Sequence, residues 1–141
     1  MGITIPDVLL ARVHAHVREG YPHEVVGILA GEAGSSEVRE VTSLVNERAD
    51  SAHNRYKVSG LALMRAEQAL TDAGHAILGY YHSHPDHPAL YSDYDRDHAW
   101  PNMSYVIVSV AAGEVVDTRS WRLLEDRSAM SEEPVHVPAA G

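Results

Sequence analysis

The chain of 141 residues contains no cysteine, so it can form neither a disulfide bond nor a thiolate metal site. It also has few basic residues, with 11 Lys and Arg against 20 Asp and Glu and a net charge of −9. A nucleic-acid-binding surface would need clustered Lys and Arg, so this balance argues against one. Phenylalanine is absent as well, and seven Tyr and two Trp partly replace it.

Long apolar runs are missing too. No stretch approaches the roughly 20 apolar residues that a membrane helix needs, so no membrane partner is expected. The first six residues lack the basic and apolar regions of a signal peptide, which predicts a cytoplasmic protein. The chain is 45% hydrophobic, which is enough for a core. We therefore expect one domain over residues 1–141, with residues 126–141 forming a C-terminal tail.

The hydrophobic pattern predicts strands interspersed with helices. Helices are expected at 6–20, at 59–74 and, more briefly, at 92–100. Strands are expected at 25–30, 37–45, 76–85, 104–111 and 115–124. The polar stretch 46–57 is predicted to be a loop that could border a substrate groove. This order favours an α/β fold, a mixed β-sheet flanked by helices.

Two histidines lie near the end of the predicted strand that finishes at Pro85, a residue that cannot donate to a sheet. Residues two apart on a strand face the same side, with Cα atoms about 6.6 Å apart, so His82 and His84 can converge on one ion. Imidazole and carboxylate are ordinary zinc ligands, and Asp95 is the obvious third. Three protein ligands leave one position for water, as in catalytic sites. The pattern therefore predicts an enzyme with one zinc ion per chain.

Other residues near this motif have simpler interpretations. Ser92-x-x-Asp95 is also typical of a capping box at the start of a short helix. Capping and metal binding are compatible, because a cap fixes the backbone from which Asp95 projects. Among the ten histidines, His14 and His16 on the first predicted helix are expected to be exposed polar residues.

The arrangement H-x-H-P-(six residues)-S-x-x-D, from His82 to Asp95, resembles the signature of the JAMM, or MPN-plus, zinc metallopeptidases. That signature also requires a glutamate upstream, just before a strand that contains glycine. Glu24, ahead of Gly27, stands in the matching place, although Val26 replaces the usual small or sulfur-bearing residue. The resemblance covers nearly the whole chain and implies the JAMM/MPN fold, which is similar to that of cytidine deaminases.

The resemblance also implies a role for each motif residue. His82, His84 and Asp95 would hold the zinc. Glu24, which is not needed as a ligand, would take a proton from the attacking water and pass it to the leaving amine. The Ser92 hydroxyl would stabilise the negative charge that develops on the scissile carbonyl oxygen.

The likeness is strongest to small bacterial members of the family, whose known substrates are ubiquitin-like sulfur carrier proteins of the ThiS/MoaD type. It implies hydrolysis of the bond after the C-terminal Gly-Gly of such a carrier, whose tail would be the partner. The segments 46–57 and 96–102 are short compared with those of deubiquitinating relatives, which favours a small carrier over ubiquitin chains. Cysteine, a longer peptide and a lysine side chain all remain open as leaving group, and so does the oligomeric state.

Two alternatives remain. The histidines also spell H-x-H-x-D-H with Asp86 and His87, the metal motif of metallo-β-lactamase-like hydrolases. Those proteins are larger and have further ligands well downstream, and the motif leaves Glu24, Ser92 and Asp95 without roles. The second alternative is a non-catalytic MPN module that binds without chemistry, but such modules typically lack the zinc ligands.

Overall fold

The computed structural model describes residues 2–44 and 60–138 of the chain. The predicted loop at 46–57 and the predicted helix cap at Ser59 lie outside these residues. The described residues form three helices and eight strands. In chain order these are β1 (Ile3–Thr4), α1 (Asp7–Gly20), β2 (Val26–Gly31), β3 (Val38–Leu44), α2 (Gly60–Asp72), β4 (Ala76–Pro85), α3 (Asp93–His98), β5 (Ser104–Ala111), β6 (Glu114–Leu123), β7 (Met130–Glu133) and β8 (Val135–His136).

Six of the strands form one mixed sheet in the order β3-β2-β4-β5-β6-β7. Neighbours are antiparallel except β4 and β5, which run parallel. Because a parallel pair needs a crossover, the chain leaves β4, forms α3 and returns to begin β5. The motif strand β4 therefore lies inside the sheet, with a partner on each side. The prediction of an α/β fold with a mixed, helix-flanked sheet is confirmed.

Two apolar layers cover the sheet, one on each face. On one face, Val13 and Val17 of α1 pack against sheet residues that include Leu29 and Tyr81. On the other face, Leu70 of α2 packs against Ile28 and its neighbours. Alternate residues of β2 thus serve opposite layers, as the period of two along a strand requires. The predicted helix from Pro6 to Gly20, with its buried valines, is confirmed.

A glycine allows the two central strands to approach one another. Gly27 of β2 pairs with Tyr81 of β4, and a Cβ at position 27 would overlap the Tyr81 ring. The Tyr81 side chain is fully buried. Its hydroxyl shares hydrogen bonds with His16 Nδ1 at 2.6 Å and Ser43 Oγ at 3.2 Å. His16 is therefore half-buried and bonded, contrary to the exposed position expected for it.

The segment expected to be a tail contains two strands. β7 lies at one edge of the main sheet, paired with β6. β8 pairs in parallel with β1 and forms a separate two-stranded sheet. Residues 130–136 thus return to the body of the fold. Within the part of the chain that the structure describes, no helix is long and apolar enough to cross a bilayer.

Candidate metal centre

Three side chains of the predicted motif converge beside the end of β4. His82 Nε2 lies 3.1 Å from His84 Nε2. Asp95 reaches both rings, with Oδ1 3.3 Å from His82 Nε2 and Oδ2 3.6 Å from His84 Nε2. Across residues 2–44 and 60–138, this is the one group of three or more His, Asp or Glu side chains close enough to share a metal ion.

The sheet and a helix cap hold these side chains in place. His82 pairs with Val26 of β2 on one side and with Ile107 of β5 on the other. Asp95 is in the first turn of α3, where its backbone N–H donates to Ser92 Oγ at 3.1 Å. The Ser92 N–H donates in return to Asp95 Oδ2 at 2.9 Å. The predicted capping box is therefore present, and it orients the carboxylate toward the histidines.

A second hydrogen bond fixes the His84 ring. His84 Nδ1 lies 2.9 Å from the carbonyl oxygen of Pro88. Because a carbonyl only accepts, Nδ1 is the protonated nitrogen in this contact, and the lone pair of Nε2 faces the cluster. Outer contacts of this kind orient the histidine ligands of metal sites.

The donor set fits a zinc ion. With ligand bonds of about 2.0–2.1 Å, the ligand atoms of a tetrahedral site are roughly 3.3 Å apart. Here the two imidazole Nε2 atoms are 3.1 Å apart, and each lies 3.3 or 3.6 Å from one of the two Asp95 oxygens. His82 is 4% exposed and Asp95 is 9% exposed, so the donors are largely withdrawn from solvent. Two imidazoles and one carboxylate are also a common ligand combination for zinc.

The electrostatics of the cluster favour an ionised carboxylate. Burial raises the pKa of Asp95, but hydrogen bonds with His82 and His84 outweigh it and hold that pKa well below its usual range. Burial also lowers the pKa of His84. The Asp95 carboxylate and the Pro88 carbonyl oppose this effect and leave the pKa of His84 above its ordinary value. The site is thus arranged to accommodate positive charge.

Glu24 lies next to the cluster without belonging to it. Val26 pairs with His82, and one step further the Ser83 N–H donates to the Val25 carbonyl oxygen at 3.1 Å. Glu24 directly precedes Val25 and His84 directly follows Ser83, so this contact lies between the two residues. The half-buried Glu24 carboxylate is near enough to raise the pKa of His84 by charge. It is not one of the three clustered ligands.

Ser92 has an exposed side chain at the start of α3. Its oxygen accepts the Asp95 N–H, which uses a lone pair and leaves the hydroxyl hydrogen able to donate elsewhere. The residue can thus act as a helix cap and as a donor at the same time.

The residues of the competing H-x-H-x-D-H motif do not join the cluster. Asp86 and His87 are both exposed. The Asp86 carboxylate instead accepts the Tyr21 hydroxyl, at 2.8 and 2.9 Å from its two oxygens. The lactamase-like interpretation thus lacks the convergence of side chains that it requires.

Sequence reasoning missed an aromatic cleft that opens beside His82. The cleft has a volume of about 710 Å³. Its walls come from strands β2 to β5, from α2 and α3, and from the segment after α3, and they include Tyr80, Tyr94, Trp100 and Tyr105. Trp100 is 67% exposed, which is unusual for such a large apolar side chain. The only sequence signal was the Trp100-Pro101 pair in a segment predicted to end a helix.

Comparison with solved structures defines the class of the fold. A solution structure of a protein from Desulfitobacterium hafniense matches with a TM-score of 0.80 and 27% identity, over 98% of this chain and 94% of that one. The crystal structure of a JAB1/MPN domain protein from Archaeoglobus fulgidus matches with a TM-score of 0.62 and 15% identity, over 97% and 98% of the two chains. The chain therefore has the JAB1/MPN fold.

Residues 6–124 match the Prok-JAB family model, which describes prokaryotic homologs of the JAB domain. The chain belongs to this family, and the resemblance drawn from the motif is confirmed. The matched range begins just before α1 and ends just after β6. It includes Glu24, Ser92 and the His-His-Asp cluster.

Relatives with known roles are peptidases. The CysO-cysteine peptidase of Mycobacterium tuberculosis is 32% identical over 132 residues, which are 93% of this chain and 87% of the relative. A Thermus thermophilus relative, named "probable TtuB-protein conjugate cleaving protease", is 39% identical over 73% of this chain and 67% of its own. The desampylase of Haloferax volcanii is 35% identical over 67% and 71% of the two chains. The chain is accordingly an enzyme, a peptidase of the JAB family.

Proposed function

We propose that this chain is a zinc-dependent peptidase or isopeptidase that cuts after the C-terminal Gly-Gly of a ubiquitin-like sulfur carrier protein. The main support is the convergence of His82, His84 and Asp95 beside Glu24. The relatives add a substrate class, since two of their names refer to CysO-cysteine and to TtuB-protein conjugates, and a third relative is a desampylase.

One zinc ion per chain would be held by His82 Nε2, His84 Nε2 and a carboxylate oxygen of Asp95. When bound, zinc lowers the pKa of a coordinated water to about 7 and polarises a carbonyl group. The Pro88 carbonyl keeps the proton of His84 on Nδ1, so the other ring nitrogen stays available as a ligand. The Ser92 N–H donates to Asp95 Oδ2 and so restrains the orientation of that carboxylate.

Glu24 is the proposed general base. Its carboxylate lies beside the ligands but outside the ligand group. It can therefore accept a proton from the attacking water and later give that proton to the leaving amine. General acid–base groups of this kind typically contribute about 10²- to 10⁴-fold to the rate.

Ser92 is the proposed donor to the scissile carbonyl oxygen. Its capping contact uses only a lone pair, so the O–H can point at an oxygen that becomes negative as the amide carbon turns tetrahedral. A donor held in place before the reaction stabilises that charge without further rearrangement. The helix cap thus fixes the hydroxyl beside the ligands.

The aromatic cleft is the proposed path of the carrier tail. It begins at His82 and continues between α2 and the segment after α3. Two glycines at the end of a carrier would let its backbone approach the cluster closely, because glycine has no side chain to exclude. The aromatic walls would hold the apolar residues that precede them. Neither a nucleic acid nor a membrane is proposed as a partner.

Mass spectrometry of candidate carriers tests this function. A ThiS/MoaD-type carrier would be prepared with cysteine after Gly-Gly, with a short peptide there, and joined to a lysine side chain. Incubation with the zinc-loaded chain should release the product that ends in Gly-Gly from at least one form. Metal-free protein is one control and should release none, and Glu24→Gln is a second control, in which release should be about 10²- to 10⁴-fold slower. Intact carriers in all three reactions, or cleavage elsewhere, would contradict the proposal.

A further inference from the structure

We propose that Ser83, the residue between the two histidines, is a positioning residue for Glu24. The inference rests on the proposed role of Glu24 as general base. Ser83 itself would contact neither the substrate nor the metal. The role of Ser83 would be to fix the position of the Glu24 carboxylate relative to the histidines.

The contact that carries this inference is an unusual strand pair. Ser83 is fully buried. Its N–H donates to the Val25 carbonyl oxygen at 3.1 Å, while its hydroxyl oxygen accepts the Val25 N–H at 2.9 Å. In an ordinary antiparallel pair, the two residues exchange two bonds between backbone groups. Here a side-chain oxygen takes the place of the Ser83 carbonyl oxygen as acceptor.

This hydrogen bond to a side-chain oxygen lies where the regular pairing of β2 and β4 stops. β2 begins at Val26, so the Ser83 hydroxyl joins β4 to a residue that precedes β2. Glu24 is the next residue along. The Ser83 hydroxyl therefore makes one of the two bonds that hold Val25, and with it the start of Glu24, against β4.

The Ser83 side chain can influence the chemistry only through the backbone. Side chains alternate along a strand, so Ser83 faces the α1 layer while His82 and His84 face the cluster. Val25 belongs to that same α1 layer. Because Val25 is buried, its N–H cannot turn to water if the hydroxyl is removed, and the backbone must shift to find another partner.

The variants for the test are Ser83→Ala, which removes the acceptor, and Ser83→Thr, which keeps it. Ser120→Ala is the matched control, because Ser120 is equally buried in the same sheet and its hydroxyl donates to Glu133 at 2.6 Å, away from the cluster. Each would be made in the wild-type and the Glu24→Gln backgrounds. The thermal midpoint of each variant would be measured first. Zinc content, amide exchange at Val25, and kcat and KM on the carrier with a short peptide after Gly-Gly would then be measured at a temperature below the unfolding range.

We expect Ser83→Ala to keep its zinc and its KM while kcat falls about 10- to 100-fold, as for a catalytic group displaced by about 1 Å. Exchange of the Val25 amide should accelerate. Ser83→Thr should recover most of kcat, and Ser120→Ala should lower the thermal midpoint without changing kcat. In the Glu24→Gln background, Ser83→Ala should cause almost no further loss.

A wild-type kcat in Ser83→Ala would overturn the inference. So would a loss that multiplies with that of Glu24→Gln, because Ser83 would then act independently of Glu24. A wild-type kcat in Glu24→Gln alone would instead overturn the proposed function. If Ser83→Ala does not fold, Ser83→Cys retains the volume with only a weak acceptor, and the same outcomes decide.

Discussion

At the scale of single residues, the site places three clustered side chains apart from Glu24, and we have proposed that the cluster holds a metal and that Glu24 moves a proton. His82, His84 and Asp95 face one another at 3.1 to 3.6 Å. Glu24 affects His84 through its charge but is not part of the ligand group. This division leads to two predictions, one for metal content and one for turnover.

The first prediction concerns the ligands. His84→Ala should lose most of the zinc together with activity, because two protein ligands seldom retain the ion. His87→Ala is the matched control and should keep its zinc, since His87 is exposed and outside the cluster. Metal analysis after dialysis against zinc-containing buffer would measure both. Equal zinc in His84→Ala and wild type would show that the ligand assignment is wrong.

The second prediction concerns the base. Glu24→Gln keeps the size of the side chain but cannot accept a proton, so kcat should fall about 10²- to 10⁴-fold. Zinc content and thermal midpoint should remain near those of the wild type. Steady-state kinetics and metal analysis on one preparation would check both parts. Loss of zinc would instead make Glu24 a ligand and leave Asp95 as a helix cap.

At the scale of elements, the position of Glu24 depends on how β2 pairs with β4. That pairing requires Gly27, because any Cβ there would overlap the Tyr81 ring. On its other side, the Tyr81 hydroxyl is bonded to His16 of α1 and Ser43 of β3. The ring therefore cannot move aside without breaking contacts with two other elements.

Gly27→Ala should therefore destabilise the fold by about 1–3 kcal/mol, the usual cost of overpacking a core. Urea unfolding would measure the change. Tyr81→Leu removes the obstructing ring atoms, so Gly27→Ala should cost clearly less in that background. The same cost in both backgrounds would mean that Tyr81 is not the reason for glycine at this position.

The half-buried His16 on α1 predicts sensitivity to acid. Burial lowers the pKa of His16 below 6.5, an effect that Glu19 partly offsets. The unfolded chain then binds the proton more readily, so this contribution to stability is complete above about pH 6.5 and is lost as the pH falls below it. Unfolding of metal-free protein between pH 7.5 and 5 should show a shallower decline in His16→Gln than in wild type. His87→Gln, an exposed control, should follow the wild type.

Some elements could be predicted from the sequence because local signals coincided with tertiary ones. β4 and β5 have the predicted bounds, since each is an apolar run ended by Pro85 or by the turn at Ala112-Gly113. The Ser92 cap is likewise a local pattern. β7 and β8 were not predicted, because the segment 130–136 is short and largely polar. Its strands depend on pairing with β6 and β1.

At the scale of the whole molecule, the aromatic cleft joins elements that are far apart in the sequence. Val26 of β2, Leu63 of α2 and Met103 before β5 all line it. No single segment shows the pattern of a binding site, which is why the motif could be predicted and the cleft could not. The proposed ligands lie within residues 82–95, whereas the cleft exists only after the sheet, α2 and α3 have packed.

Trp100 is the residue with which to test the cleft. Trp100→Ala should raise KM for the carrier with a short peptide after Gly-Gly about 10-fold or more, because it removes an aromatic anchor from the interface. The kcat value should change little. Val116→Ala is the control, because Val116 is similarly exposed but lies on β6 outside the cleft. Steady-state kinetics with the same carrier would compare them. An unchanged KM in Trp100→Ala would contradict the proposed path of the tail.

The spacing of the site residues along the chain also determines which assay can show that a preparation is correctly folded. His82, His84 and Asp95 are local to one another, whereas Glu24 reaches them only through the long-range pairing of β2 with β4. With the ligands and the base as proposed, a partly refolded chain would take up zinc before Glu24 is in place. In a preparation of this enzyme, a full zinc content would then show only that the segment from His82 to Asp95 has folded. Turnover would show that β2 and β4 have paired as well.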